Sequence, residues 1–161
     1  MESFDVYDSN RKSLGYTKIR GEKLLDNEYN QGVELWIFNN NKLLIDQRSK
    51  EKSHALEWEV PGGCSQVGET SIDTLFREAK EEIGLESNSF EFLDTVIYKH
   101  QFVDIYKTNM KADLSKVKLQ EEEVSDIKFV TKKEFLEMNN NGEIVQSVFN
   151  RYEVIKDKIN W

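Results

Sequence analysis

The sequence predicts a mixed α/β fold whose sheet is mixed or largely antiparallel. Three observations lead there. Apolar runs such as ELWIF and KLLI are strand-sized, hairpin signals separate several of them, and capped helical segments are interleaved with the strands.

Residues 3–8 (SFDVYD) alternate apolar and polar, as an edge strand does. SNRK is a polar turn, LGYTKIR (14–20) returns as a second strand, and 21–31 is irregular and polar. Residues 33–38 (VELWIF) and 42–48 (KLLIDQR) flank Asn39-Asn40-Asn41; asparagine tolerates the left-handed conformation of a tight turn, so these two strands form a hairpin. Trp36 and Phe38 alternate on the first of them, so at least one faces the core or a ligand, with the core the favoured reading over stacking on a base. Residues 49–57 form a polar loop, and Trp58–Val60 a short strand stopped by Pro61-Gly62-Gly63. A helix over 71–83 is capped by Thr70 or Ser71, with Asp73 complementing its N-terminus and Gly84 closing it. Residues 90–98 and 101–108 read as two more strands and 111–123 as a charged loop. Asp126–Val130 is a further strand, Thr131-x-x-Glu134 a capping box opening a short helix, and Glu143 to about Lys158 a last helix. The whole of 1–161 suits one domain.

The chemistry concentrates on the 71–83 helix. At 100° per residue with Glu78 at zero, Ile72, Leu75, Phe76, Ala79 and Ile83 fall between about 60° and 160°, one apolar stripe. Glu81 and Glu82 lie about 60° and 40° to either side of Glu78, so three carboxylates share the adjoining face. Like charges at this spacing repel, and a hard cation removes the penalty. Mg²⁺ or Mn²⁺ is the expected metal, because carboxylate oxygens, water and substrate phosphate suit Mg²⁺, whereas zinc would draw on His or Cys. Gly62 and Gly63 let backbone approach metal or phosphate closely. On the wheel Arg77 points roughly away from the metal face, from where it could orient Glu69 by an ion pair.

A formal net charge of −8 with scattered lysines gives no electrostatic footprint for a nucleic acid polymer. A small phosphorylated ligand remains open if a metal offsets the acid locally. No apolar run approaches the roughly 20 residues of a membrane span, and MESFDVYDSN lacks a signal-peptide pattern. The single cysteine, Cys64, cannot form an internal disulfide, so a reducing, cytoplasmic setting is the expectation.

EAKEE alone reads as a solvated acidic helix face. The complete spacing reads differently: Gly63, five residues, Glu69, seven residues, Arg77-Glu78, then Glu81-Glu82, Gly84 and Leu85. This resembles the Nudix box at every fixed position, with Ala79 at the aliphatic site after Glu78. The preceding EWEVPGG is similar to the strand and turn that enter the box, and EVSDIKFVTKKEF to the family's late strand and helix. The opening FDVYDSNRKSLGYTKIRGEKL resembles Nudix proteins related to isopentenyl-diphosphate isomerase, so 1–31 is expected to be an N-terminal β-hairpin and linker.

The resemblance implies an α/β/α sandwich around a mixed sheet and hydrolysis of a diphosphate linked to another moiety. It implies Glu78 and Glu82 as main Mg²⁺ ligands with Glu81 assisting, and Glu69 or a later loop acid, Glu122 or Glu123, ligating metal or activating water. Strand 101–108 resembles the one lining the family's substrate cleft, which makes Phe102 and Tyr106 candidates for a ligand wall, beside the plainer reading of an ordinary sheet face. A homodimer is allowed, since dimers are common in such families. Isomerase chemistry is disfavoured: its family pattern needs a cysteine in a T-x-x-C-S-H-P-like segment, and this chain has EKSHALEWEVPGGCSQ. A non-catalytic nucleotide-binding role is disfavoured by the intact acids. The proline that marks ADP-ribose specificity is missing from KHQFV, and coenzyme A and NADH signatures are missing too.

Overall fold

The computed structural model describes residues 2–85, 89–110 and 114–161. In chain order the elements are β1 (Ser3–Tyr7), β2 (Ser13–Ile19), β3 (Asn30–Asn39), β4 (Lys42–Arg48), β5 (Trp58–Glu59), β6 (Gly62–Cys64), α1 (Ser71–Ile83), β7 (Glu91–Tyr98), β8 (Gln101–Asn109), a 3₁₀ turn (Leu114–Lys116), β9 (Val124–Val130), α2 (Lys132–Asn140) and α3 (Gln146–Ile155).

β3 organises the sheet. Along one edge it pairs in parallel with β8, from Asn30↔Gln101 to Phe38↔Asn109, and β7 continues that side antiparallel to β8. Along its other edge it meets β4 only at the hairpin, Phe38↔Leu43 and Asn39↔Lys42. Asn40 and Asn41 take φ of 49° and 61° there, as the asparagine run predicts. β4 then leaves β3 and pairs with β9 and β5. The vacated edge of β3 accepts β6 antiparallel, Gly32↔Cys64 to Glu34↔Gly62. This splay places the box glycines beside the central strand.

Both faces of β3 are covered, which accounts for its nearly unbroken apolar run. Val33, Leu35 and Ile37 pack with Leu44 and Tyr106 against Leu75, Ala79 and Ile83 of α1. Trp36, Phe38, Leu43, Ile45 and Ile105 face the other way, against Phe135 of α2 and Val148, Tyr152 and Ile155 of α3. The result is an α/β/α sandwich around a mixed sheet. Trp36 is fully buried between Phe135 and Tyr152, at ring distances of 5.9 Å and 6.0 Å.

The N-terminal ribbon β1–β2 forms its own two-stranded sheet. Tyr7 and Tyr29 exchange backbone hydrogen bonds of 2.8 Å, and Val67 N–H donates to the Ser3 carbonyl at 3.1 Å. Arg11, in the ribbon's turn, donates to Asp104 of β8 at 2.8 Å and 2.5 Å and to Ser71 of α1 at 3.1 Å. The ribbon is thereby fastened to the strand and helix that carry the box.

Some expectations shift. Gly62-Gly63 do more than end a strand, since Gly62–Cys64 is itself a strand held by β3. The last helix spans only Gln146–Ile155, because Trp58 bonds Glu143 and Val145 through backbone and keeps 143–145 extended. Ile72 and Phe76 stand 40% and 42% exposed; Phe76 packs edge-on against Phe90 instead of entering the core. Among the described residues no helix is long and apolar enough to cross a membrane.

Candidate active site

α1 presents the site because its ends are locally determined. Thr70 accepts from the Asp73 N–H while Asp73 accepts from the Thr70 N–H, a reciprocal cap worth about 1 kcal/mol. Gly84 ends the helix in the left-handed conformation at φ 62°. The buried positions are Thr74, Leu75, Ala79, Glu82 and Ile83. Glu82 therefore goes into the interior with the apolar stripe, and Glu78 stands at its margin.

β6 runs against this helix with no room for side chains. A Cβ on Gly63 would sit 2.1 Å from Glu78 Oε1, and one on Gly62 would sit 2.3 Å from the Val33 carbonyl oxygen. Gly62 N–H donates to Glu82 Oε2 at 3.1 Å. The two glycines thus bring backbone up to the two helix carboxylates.

Arg77 is the hub, and it does not point away from the carboxylates. Its Nε and Nη2 donate to the two oxygens of Glu69 at 2.7 Å and 2.9 Å. Nη2 also reaches the Cys64 carbonyl at 2.9 Å, and Nη1 reaches Glu78 at 2.8 Å and Glu81 at 3.3 Å. The long side chain crosses the helix surface to bridge them all, which a wheel drawn from Cα directions does not show. Glu69 accepts in addition from Gln66 N–H and Thr74 Oγ1. The Arg77 guanidinium, with help from those donors, holds Glu69 down at about 2. Both of its oxygens are engaged, and it does not line the cleft.

The cleft itself, about 210 Å³, lies between β6, α1, β4–β5 and the loop before β9. Glu78, Glu81 and Glu82 line it from the helix, and of the two loop acids it is Glu123 that lines it. Burial pushes the Glu82 carboxyl well above the usual carboxylate range, reinforced by the nearby charges of Asp46, Glu78 and Glu59. Burial also raises Glu78, partly opposed by Arg77. Lys52, paired with Glu123, holds that acid low.

Several residues in or beside the cleft are marked by no motif in the sequence. Asp46 of β4 is 1% exposed and its Oδ1 has no hydrogen-bond partner among the described residues. A charge inside the run LLID was the available signal. Arg48 chelates Glu59 with both contacts at 2.8 Å, and Arg20 at the end of β2 pairs with Glu2 at 2.6 Å. Arg20, Arg48 and Lys52 give the acidic cleft a cationic rim.

Phe102 and Tyr106 do not line this cleft. β8 lies on the edge of β3 opposite β6, and its residues 102, 104 and 106 face the α1 side. Phe102 is 4% exposed, 5.2 Å from the Tyr29 ring and under the Arg11 guanidinium; Tyr106 packs on Phe92 in the core.

The donor set fits a hard divalent cation. It is all carboxylate oxygen and contains a buried acid crowded by like charge, and the orphaned Asp46 oxygen lies behind it, near enough for its charge to act on Glu82. Among the described residues no three acidic, histidine or cysteine side chains converge into a closed cage. An open set of carboxylates is what Mg²⁺ uses, since it keeps several waters and adds substrate phosphate.

The NUDIX domain family model matches residues 28–154, which contain this entire carboxylate site. The chain belongs to the Nudix family. It is 34% identical over 154 residues to an uncharacterized Nudix hydrolase of Listeria monocytogenes, lmo0368, covering 92% of this chain and 91% of the relative. The fold is similar to the crystal structure of DR0079 from Deinococcus radiodurans, with TM-score 0.80 and 22% identity over 98% of this chain and 99% of that one. It is also similar to the NUDIX domain of Shewanella oneidensis NrtR, solved with ADP ribose, with TM-score 0.67 and 19% identity over 90% and 94% of the two chains. This Nudix hydrolase belongs to a family that acts on nucleoside diphosphate derivatives and generally employs divalent metals.

Proposed function

We propose that this chain is a Mg²⁺-dependent hydrolase that cleaves the diphosphate bond of a nucleoside-diphosphate-linked or related small metabolite, with Mn²⁺ able to substitute. The observation that carries the reading is the juxtaposition of Glu78 and buried Glu82 with a rim of Arg20, Arg48 and Lys52 in one cleft. Carboxylates suit a hard cation, and arginine and lysine suit phosphate oxygens.

In this reading Glu78 and Glu82 are the main metal ligands, with Glu81 assisting from the exposed edge. A Mg²⁺ held there supplies Lewis-acid polarisation of a phosphoryl oxygen and an acidified water. Glu123 serves the metal or the attacking water from the opposite loop, and Lys52 keeps it ionised. Arg77 and Glu69 are positioning residues: they hold Glu78 and the Cys64 backbone in place. Gly62 and Gly63 keep the floor open.

A phosphate-release screen with Mg²⁺ over nucleoside triphosphates, dinucleoside polyphosphates, ADP-ribose, sugar nucleotides and prenyl diphosphates tests the proposal. Activity on at least one substrate is expected, falling at least about a hundredfold in Glu82→Gln, the scale of a damaged metal site. A wild-type protein inert on all of them, or a fully active Glu82→Gln variant, refutes it.

A further inference from the structure

The acidic cleft does not end at the box. A smaller cavity of about 120 Å³ shares Glu2, Arg20 and Cys64 with it and continues beneath the N-terminal ribbon. That cavity in turn shares Glu22, Leu24 and Asn30 with an open hollow of about 470 Å³ between the linker after β2 and the β7–β8 turn. The three hollows adjoin through these shared residues, in a row that leads from the carboxylates to a surface of different chemistry.

The hollow has the makings of a ring-binding site. Tyr98 stands 40% exposed on its wall, with the Lys99 ammonium 5.3 Å from its ring centroid. His100 is fixed by a 2.9 Å contact from Nδ1 to the Glu28 carbonyl. Asn30, where the two hollows meet, carries a buried side-chain oxygen with no hydrogen-bond partner among the described residues, while its backbone N–H is tied to the His100 carbonyl at 2.9 Å. A buried amide oxygen left unpartnered at such a junction calls for a polar donor, and the edge of a base carries one.

We infer that the hollow bounded by Asn30, Tyr98 and His100 is the subsite for the nucleobase of the substrate, whose diphosphate reaches back past Arg20 into the acidic cleft. This rests on the proposed reading of that cleft as a diphosphate site. An aromatic ring and an amide recognise a planar base with a polar edge. A prenyl chain offers the amide nothing and leaves it unpaired, an outcome that sites of this kind discriminate against strongly. The position also explains the ribbon and linker: they supply one wall of these hollows.

Binding separates this inference from the reading beneath it. The probes are the α,β-methylene analogues of ADP, GDP, CDP and UDP, the base-free methylenediphosphonate, and a prenyl methylenediphosphonate, titrated calorimetrically with Mg²⁺ into wild type, Tyr98→Ala and Asn30→Ala. Tyr98 is exposed and Asn30 keeps its backbone bond, so both variants are expected to fold. At least one nucleotide analogue should bind wild type at least tenfold more tightly than methylenediphosphonate. Each variant should lose at least fivefold of that nucleotide affinity while keeping methylenediphosphonate binding within twofold. Unchanged nucleotide affinity in both variants overturns the subsite and leaves the cleft assignment standing. Equal losses on nucleotide and methylenediphosphonate, or a prenyl probe that binds best and loses most, overturn it as well. A wild type that binds neither nucleotide nor methylenediphosphonate overturns the cleft reading and the subsite together.

Discussion

Adding one methyl group at Gly63 should disable the site while sparing the fold. The new Cβ would lie 2.1 Å from Oε1, 2.4 Å from Cδ and 2.8 Å from Oε2 of Glu78. Ordinary contact begins near 3.4 Å, so the carboxylate must retreat by roughly 1.3 Å. Gly63 is not held at positive φ, so alanine suits its backbone. The group that yields is the end of a flexible side chain, and Arg77 keeps its bonds to Glu69 and Cys64. Stability should therefore fall by no more than about 1 kcal/mol. Activity should fall far more, because a misplacement of about 1 Å at a reacting centre costs on the order of a hundredfold, or about 2.7 kcal/mol on the barrier. The assay is kcat/KM for phosphate release, with urea unfolding in parallel. The decisive comparison is a double-mutant cycle with Glu78→Ala: once the carboxylate is gone, Gly63→Ala should cost nothing further. Full activity in Gly63→Ala, or an undiminished loss in the Glu78→Ala background, would show that the contact does not act through Glu78.

Two further expectations follow from the ion pairs. The depressed Glu69 carboxyl contributes stability that is complete above its unfolded value near 4.5 and disappears as pH falls through about 2. Wild type should thus exceed Glu69→Gln by on the order of 1 kcal/mol at pH 7, after screening of a partly exposed pair, with the gap closing on acidification; urea midpoints between pH 7 and pH 2 that stay a constant distance apart contradict this. Arg11→Gln should loosen the ribbon that carries Arg20, raising KM about tenfold with kcat within twofold, on the order of one charge-assisted hydrogen bond; a fall in kcat at fixed KM would place the effect at the chemical step instead.

What was readable in the sequence was local. The limits of α1 follow from Thr70, Asp73 and Gly84, each acting within a turn, and the Ser71–Ile83 helix coincides with the expected span. The shared face of Glu78, Glu81 and Glu82 follows from helical periodicity. The Asn40-Asn41 turn and the Thr131–Glu134 capping box are local in the same sense. The rest depends on partners far away in the chain. Gly62–Cys64 has poor strand propensity and becomes a strand because β4 vacates the edge of β3. Residues 143–145 have helical spacing but are held extended by Trp58. Arg20, Asp46, Arg48 and Lys52 come from a ribbon, a strand and a polar loop that no motif joins, and only the folded cleft brings them beside the box. Phe102 and Tyr106 alternate as a ligand wall would, yet alternation does not say which edge of the sheet holds the cleft.

Whether Glu78 and Glu82 together hold a divalent metal can be seen by locating Mn²⁺ in a crystal through its anomalous scattering. A peak is expected within coordination distance of both carboxylates, reduced or lost in Glu82→Gln. A metal bound elsewhere, or the same peak persisting at full height in Glu82→Gln, would contradict it.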